Sequence, residues 1–87
     1  MLIASPWWVY ILYSVSSGRL YTGIAKDPQK RLNKHNAGTG AKFTRYGRPW
    51  TIVHKEPSDS HGNALRRERA IKKMTRKQKM ILAGLAA

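Results

Sequence analysis

Two hydrophobic periods alternate along this chain, and each change of period marks an element. Trp7-Trp8-Val9-Tyr10-Ile11-Leu12-Tyr13 is an unbroken aromatic and β-branched run, the pattern of a buried strand. Arg19-Leu20-Tyr21-Thr22-Gly23-Ile24 alternates, and the polar link Ser14–Gly18 ends in a glycine that suits a hairpin turn. Asp27-Pro28 opens a helix: Asp accepts from free amides and Pro fits the first turn. That helix runs from Pro28 to about Ala37, with Leu32 its large apolar anchor, and Gly38 stops it. Residues Gly38 to Pro49 read as a loop, and Trp50 to Glu56 as a third strand broken by Pro57-Ser58-Asp59-Ser60. A serine then caps a helix from His61 to Met74, and Thr75-Arg76-Lys77-Gln78 has the capping-box spacing that starts a last one. The predicted order is β-β-α-β-α-α, an α+β class in which helices flank a three-stranded antiparallel sheet. Trp7, Trp8 and Tyr13 are expected in its core.

With 87 residues the chain predicts one small domain over 1–87, its positions 79–87 a C-terminal helical tail. Lys and Arg number 17 against 4 acids, a net charge of +13. A domain this basic calls for a polyanionic partner, with DNA (or RNA) ahead of an anionic membrane, because no helix shows the wide apolar face of an interfacial anchor. The absence of cysteine removes disulfides and thiolate metal sites and fits a reducing, cytoplasmic setting. Met1-Leu2-Ile3-Ala4 lacks a charged leader, so no signal peptide is expected, and the run from Met80 is too short to span a bilayer.

Charge alone does not separate an enzyme from a passive binder, so the chemistry-bearing residues decide. Glu68 lies three or four positions from Ala64, Leu65 and Ile71, which places a carboxylate on or beside the apolar stripe of its helix. It therefore needs an ion pair, with Arg66, Arg67, Arg69 and Lys72 near in sequence, or a metal. With Asp27, Glu56 and Asp59 the only other acids, a two-metal site is not expected; one divalent ion held by Glu68, substrate phosphate and water is feasible. Arg31 and His35 share a helical face, where a guanidinium can fork onto a phosphate and a neutral imidazole can accept a proton. A solvated basic face is the plainer account of that pair. Tyr10 and Tyr21 are either core aromatics or hydroxyls whose use as a base needs help from cations, their free pKa being about 10. Lys42, Arg45 and Arg48 interleave with Phe43 and Tyr46, a composition suited to phosphates and a stacked base, or to aromatics anchoring a loop whose cations face water. Lys34 and Lys72, with Lys30, Lys73, Arg76, Lys77 and Lys79, supply further backbone contacts without sequence readout.

Val9-Tyr10-Ile11 and Tyr21-Thr22-Gly23 resemble the two halves of the GIY-YIG motif. Arg31, His35 and Glu68 follow in the order of that endonuclease superfamily. Gly40-Ala41-Lys42-Phe43-Thr44-Arg45 and Ala64-Leu65-Arg66-Arg67-Glu68 are similar to segments of its small stand-alone bacterial members. The resemblance covers about Trp7 to Gln78. It implies a divalent-metal-dependent endonuclease that hydrolyses DNA phosphodiester bonds, in repair or recombination, with Mg²⁺ or Mn²⁺ as the ion. By the same resemblance Tyr10, Tyr21, Arg31, His35 and Glu68 carry the catalysis, Glu68 holds the ion, Tyr21 activates water, and Arg31 stabilises the phosphorane. Val9 and Thr22 depart from the motif, Ile24 stands where excision-repair relatives carry a lysine, and no asparagine follows Glu68. Without a separate targeting domain in view, structured or single-stranded DNA suits this chain better than one specific sequence. The other reading is a catalytically silent basic nucleic-acid-binding module. Convergence of the five residues on one cleft favours the nuclease, and Glu68 locked in an ion pair away from the tyrosines favours the binder. Monomer and weak dimer both remain open, as does a protein-interaction role for the Met80–Ala87 tail.

Overall fold

The computed structural model describes residues 6–86, and in it the unbroken apolar run becomes the central strand. β1 (Trp7–Ser14) pairs antiparallel with β2 (Leu20–Ala25) on one side and with β3 (Trp50–Ser58) on the other, giving the sheet order β2-β1-β3. Both faces of a central strand are covered here, so its side chains need not alternate. Val9, Tyr10, Ile11 and Leu12 are accordingly all buried. Val9 and Ile11 point to the face covered by Ala64 and Ile71 of α2 (His61–Lys72), with Met74, and with Leu82 of α3 (Arg76–Leu82), packed around them. Tyr10 and Leu12 point to the other face, against Trp50 and Leu32 of α1 (Pro28–Asn36). The α+β class, the β-β-α-β-α-α order and the antiparallel three-stranded sheet are those expected from the hydrophobic pattern.

The helix starts follow their capping residues. Asp27 accepts from the Lys30 amide and Ser60 from that of Asn63. Both halves of the Thr75–Gln78 capping box are made. The chain leaves α1 through Gly38 at φ +83°, a conformation that glycine adopts without steric cost.

Four details differ from the sequence expectation. Trp7, Trp8 and Tyr13 are half-buried rather than core; Trp7 packs at the margin of the cluster of Val9 and Ile71, and Trp8 lies under the Lys55 ammonium. Pro57 does not end the third strand; it sits opposite Trp8 in β3, an edge strand, where a sheet tolerates a missing donor. The loop after Gly38 contains a 3₁₀ turn, Lys42–Arg45, that buries Thr44. α2 ends at Lys72, two residues before Met74. The reading of Met1–Ala4 falls outside the described residues. Among those described, no helix is long and apolar enough to cross a membrane.

Candidate active site

The register of the hairpin sets the site. Tyr10 lies opposite Gly23 and Leu12 opposite Tyr21, so the two tyrosines occupy one face of the sheet as diagonal neighbours, their ring centroids 6.4 Å apart. The Tyr10 ring reaches across the β2 backbone at the residue that has no side chain. A Cβ at Gly23 would stand 2.6 Å from the Tyr10 hydroxyl and 3.1 Å from the Tyr21 ring. The glycine of Tyr21-Thr22-Gly23 is thus there to admit a tyrosine from the neighbouring strand.

α1 lays Arg31 and His35 over this pair. His35 has no exposed surface, and its Nε2 is 3.0 Å from the Tyr10 hydroxyl, while the Tyr21 ring centroid is 5.1 Å from that of the imidazole. Arg31 is close enough for its charge to act on Tyr10, Tyr21 and His35 alike. Glu68 comes from α2, which packs against β2 as well as β1, and its charge acts on both tyrosines. The five residues singled out from the sequence therefore form one electrostatic cluster.

Burial dominates the protonation states. Removal from water pushes the Tyr10 hydroxyl up to about 12; Tyr21 and Glu68 add to the rise, and Arg31 opposes it through its charge and its N–H groups. Burial also raises Tyr21, against Arg31 and with Glu68. For His35 burial and then the Arg31 charge both lower the pKa. Near neutral pH the two tyrosines are phenols and the histidine is neutral. The expected help from cations toward a Tyr21 phenolate is present in Arg31, but desolvation outweighs it in the free protein.

Glu68 is one-sixth exposed and pairs with Lys72, one turn on, at 3.5 Å. Such a partly exposed pair at helical spacing is weak, on the order of 0.5 kcal/mol, so the carboxylate is readily released to another cation. Among the described residues no three His, Cys, Asp or Glu side chains gather as a metal site. A lone carboxylate whose Lys72 partner lines the depression beside Tyr21 still fits Mg²⁺ or Mn²⁺, ions that take few protein ligands and complete their shell with water and substrate phosphate oxygens.

The residues expected to meet nucleic acid divide into four kinds. Lys34 lines an open depression with Lys26, Lys30 and Arg31, and Lys72 lines another with Tyr21, Thr22, Phe43 and Lys79, so cations flank the cluster on two sides. Phe43 stacks on Tyr21 at 6.0 Å, with the Arg19 guanidinium 4.1 Å over its ring, and keeps 41% of its surface exposed. It anchors the loop and still offers an edge. Lys42 and Arg45 are exposed on the 3₁₀ turn. Arg48 is turned back instead, its Nε donating to the Arg45 carbonyl at 3.1 Å, and it braces the loop against the end of α1. Tyr46 is largely exposed. Sequence reasoning passed over Thr44, which hydrogen-bonds His35 from the 3₁₀ turn, and Arg19, which covers Phe43. The only sequence signal for Thr44 was its place inside the motif-like segment Gly40–Arg45.

Comparison with known proteins places this geometry. The model of the GIY-YIG catalytic domain matches residues 6–80. The UPF0213 protein of Staphylococcus saprophyticus is 45% identical over 75 residues, 86% of this chain and 90% of that protein. That of the archaeon Halobacterium salinarum is 47% identical over 74 residues, 85% of this chain and 95% of the other, so the similar proteins include an archaeal one beside the bacterial ones. Two solution NMR structures align over 91% of this chain and 83% of theirs: a UPF0213 protein of Bacillus halodurans (37% identity, TM-score 0.56) and a protein from E. faecalis (38%, 0.60). The family model spans nearly the whole chain and these relatives are covered almost end to end, so this chain belongs to the GIY-YIG family, in its UPF0213 group.

Proposed function

We propose that the cleft between α1, β2 and the 3₁₀ turn binds a nucleic-acid phosphodiester, DNA first, and hydrolyses it with one divalent ion held by Glu68. The observation that carries this reading is the convergence of Tyr10, Tyr21, Arg31, His35 and Glu68 between two cation-lined depressions. Arg31 binds and orients a phosphate oxygen and balances the charge that builds on it. The Tyr21 hydroxyl, the less buried of the two, orients the attacking water by hydrogen bonding. Tyr10, held by His35, fixes the floor of the site. When bound, the ion supplies Lewis-acid stabilisation of the phosphoryl and leaving oxygens.

A second reading, a basic nucleic-acid-binding module without turnover, has specific support. Glu68 is engaged by Lys72, burial keeps both phenols protonated, and no metal-ligating group of three exists among the described residues. The binding half of the proposal thus rests on more observations than the hydrolytic half. Incubation with branched, single-stranded and duplex DNA, with Mg²⁺, Mn²⁺ or chelator, separates the two. Ion-dependent cleavage abolished by Glu68→Gln supports the nuclease. Binding without cleavage in any of these mixtures establishes the module, and cleavage indifferent to Glu68→Gln removes the assigned mechanism.

A further inference from the structure

A chain of hydrogen bonds leads from the cluster into the 3₁₀ turn, and its direction can be worked out. Thr44 Oγ1 is 2.7 Å from the Ala41 carbonyl and 2.7 Å from His35 Nδ1, and His35 Nε2 is 3.0 Å from the Tyr10 hydroxyl. A carbonyl only accepts. Two oxygens 2.7 Å apart repel unless a proton lies between them, so Thr44 donates its single proton to Ala41. His35 must then carry its proton on Nδ1 and donate it to Thr44. Its Nε2 is left bare and accepts from Tyr10. The Ala41 amide also donates toward Nδ1, at 3.4 Å; this long contact favours a bare Nδ1, but it is outweighed by the pair of 2.7 Å contacts at Thr44 Oγ1, which need a proton on Nδ1. The Arg31 charge acting on Tyr10 favours the same arrangement, because a cation is better faced by an oxygen lone pair than by a proton.

We infer that Thr44 is a positioning residue: it fixes His35 as the Nδ1–H tautomer and so commits the Tyr10 proton to His35. The loop is built for this contact. Thr44 has no exposed surface. Gly40 lies so close to the imidazole that a Cβ there would overlap the ring and stand 2.9 Å from the His35 Cα. The Thr44 backbone carbonyl is itself held by Trp50 Nε1 at 2.9 Å. The same turn displays Lys42, Phe43 and Arg45, so the residue that orders the floor of the site also ties it to the nucleic-acid face of the loop. The effect on cleavage rests on the proposed nuclease reading; the tautomer does not.

The test uses the full chain labelled with ¹⁵N-histidine. Long-range ¹H–¹⁵N correlation reads which ring nitrogen of His35 is protonated, with His35→Gln assigning the signal. The wild type is expected as Nδ1–H. Thr44→Val, of nearly the same shape, should shift His35 toward Nε2–H, and Thr44→Ser should restore it. In cleavage assays Thr44→Val should lower kcat, by up to about 100-fold for a misplaced group, with KM little changed and Thr44→Ser again restoring it. A wild-type His35 protonated on Nε2 overturns the inference, as does a Thr44→Val protein that keeps Nδ1–H, or one with altered tautomer and wild-type kcat. If Thr44→Val does not fold, the wild-type tautomer decides alone. If the wild type cleaves no DNA, the nuclease reading fails, and the His35 tautomer in wild type and Thr44→Val still decides whether Thr44 positions the imidazole.

Discussion

At the scale of single residues, His35 shows how position decides chemistry. The same imidazole on an open helix face would titrate near its ordinary 6.5 and handle protons with solvent; buried beneath the tyrosines beside Arg31, it is held neutral. That has a thermodynamic consequence. The unfolded chain protonates His35 at about 6.5, whereas the folded chain resists until its lowered pKa. The unfolded state therefore binds more protons in that window, and the stabilisation is complete above about 6.5 and lost as pH falls through the folded value. Urea unfolding at about pH 7.5 and about pH 5.5 should show the lower stability at the more acid pH, a difference that His35→Gln removes. Glu56 does not confuse the measurement. Burial alone would push it up, but Arg67 and His54 hold it below 4.5, so its loss falls at more acid pH. Tyr10 and Tyr21 act at the other end, their contribution present below pH 10 and lost as the pH rises past it. For catalysis, Tyr21→Phe should leave DNA affinity near wild type and lower kcat by up to about 100-fold, the cost of a misplaced water, read by single-turnover cleavage. The five cluster residues were legible in the sequence because motif order marks all of them and helical spacing also marks Arg31, His35 and Glu68. Their states were not, because spacing carries no information on burial.

At the scale of elements, the fold was legible wherever a local rule and the tertiary packing agree. Asp27, Ser60 and Thr75 cap where their types demand, and the β1 run is apolar throughout because helices cover both faces. The rule for Pro57 failed because strand position, central or edge, is a property of the sheet and not of the residue. The 3₁₀ turn escaped notice because its buried member, Thr44, is polar, and hydrophobic periodicity is blind to a side chain buried by hydrogen bonding. Gly23 is the sharpest case of one element dictating another's sequence. Gly23→Ala must displace the Tyr10 ring from the β2 backbone, and overpacking of this kind should cost about 1–3 kcal/mol. Ile71→Ala, beneath the other face of the sheet, should cost more, about 2–5 kcal/mol, by opening a cavity under Val9 and Ile11. Chemical denaturation measures both. Only Gly23→Ala should also alter cleavage at concentrations where the protein is fully folded, because only it moves a site residue.

At the scale of the molecule, the charge of +13 was plain in the composition, but its arrangement was not. The fold gathers Lys26, just before α1, with Lys30, Arg31 and Lys34 of α1 on one side of the cluster, and Lys72, Arg76 and Lys79 with Arg19 on the other. Other cations are engaged within the fold: Arg67 on Glu56 and Arg48 on backbone carbonyls. Affinity for DNA should therefore follow the cations beside the cleft rather than total charge. Each phosphate neutralised contributes about −0.9 to the slope of log K against log salt for duplex DNA. Lys34→Ala and Lys72→Ala should each reduce that slope by about 1, on opposite sides of the site. Lys55→Ala, by contrast, removes the same charge from β3, where the ammonium lies 5.1 Å over the Trp8 ring, and should leave the slope unchanged. Fluorescence anisotropy across a salt titration gives all three slopes. If the three variants shift alike, net charge alone drives binding and the two depressions have no special part in it. If Lys34 and Lys72 stand apart from Lys55, the nucleic acid crosses the tyrosine cluster from one depression to the other, with a phosphate carried past Arg31.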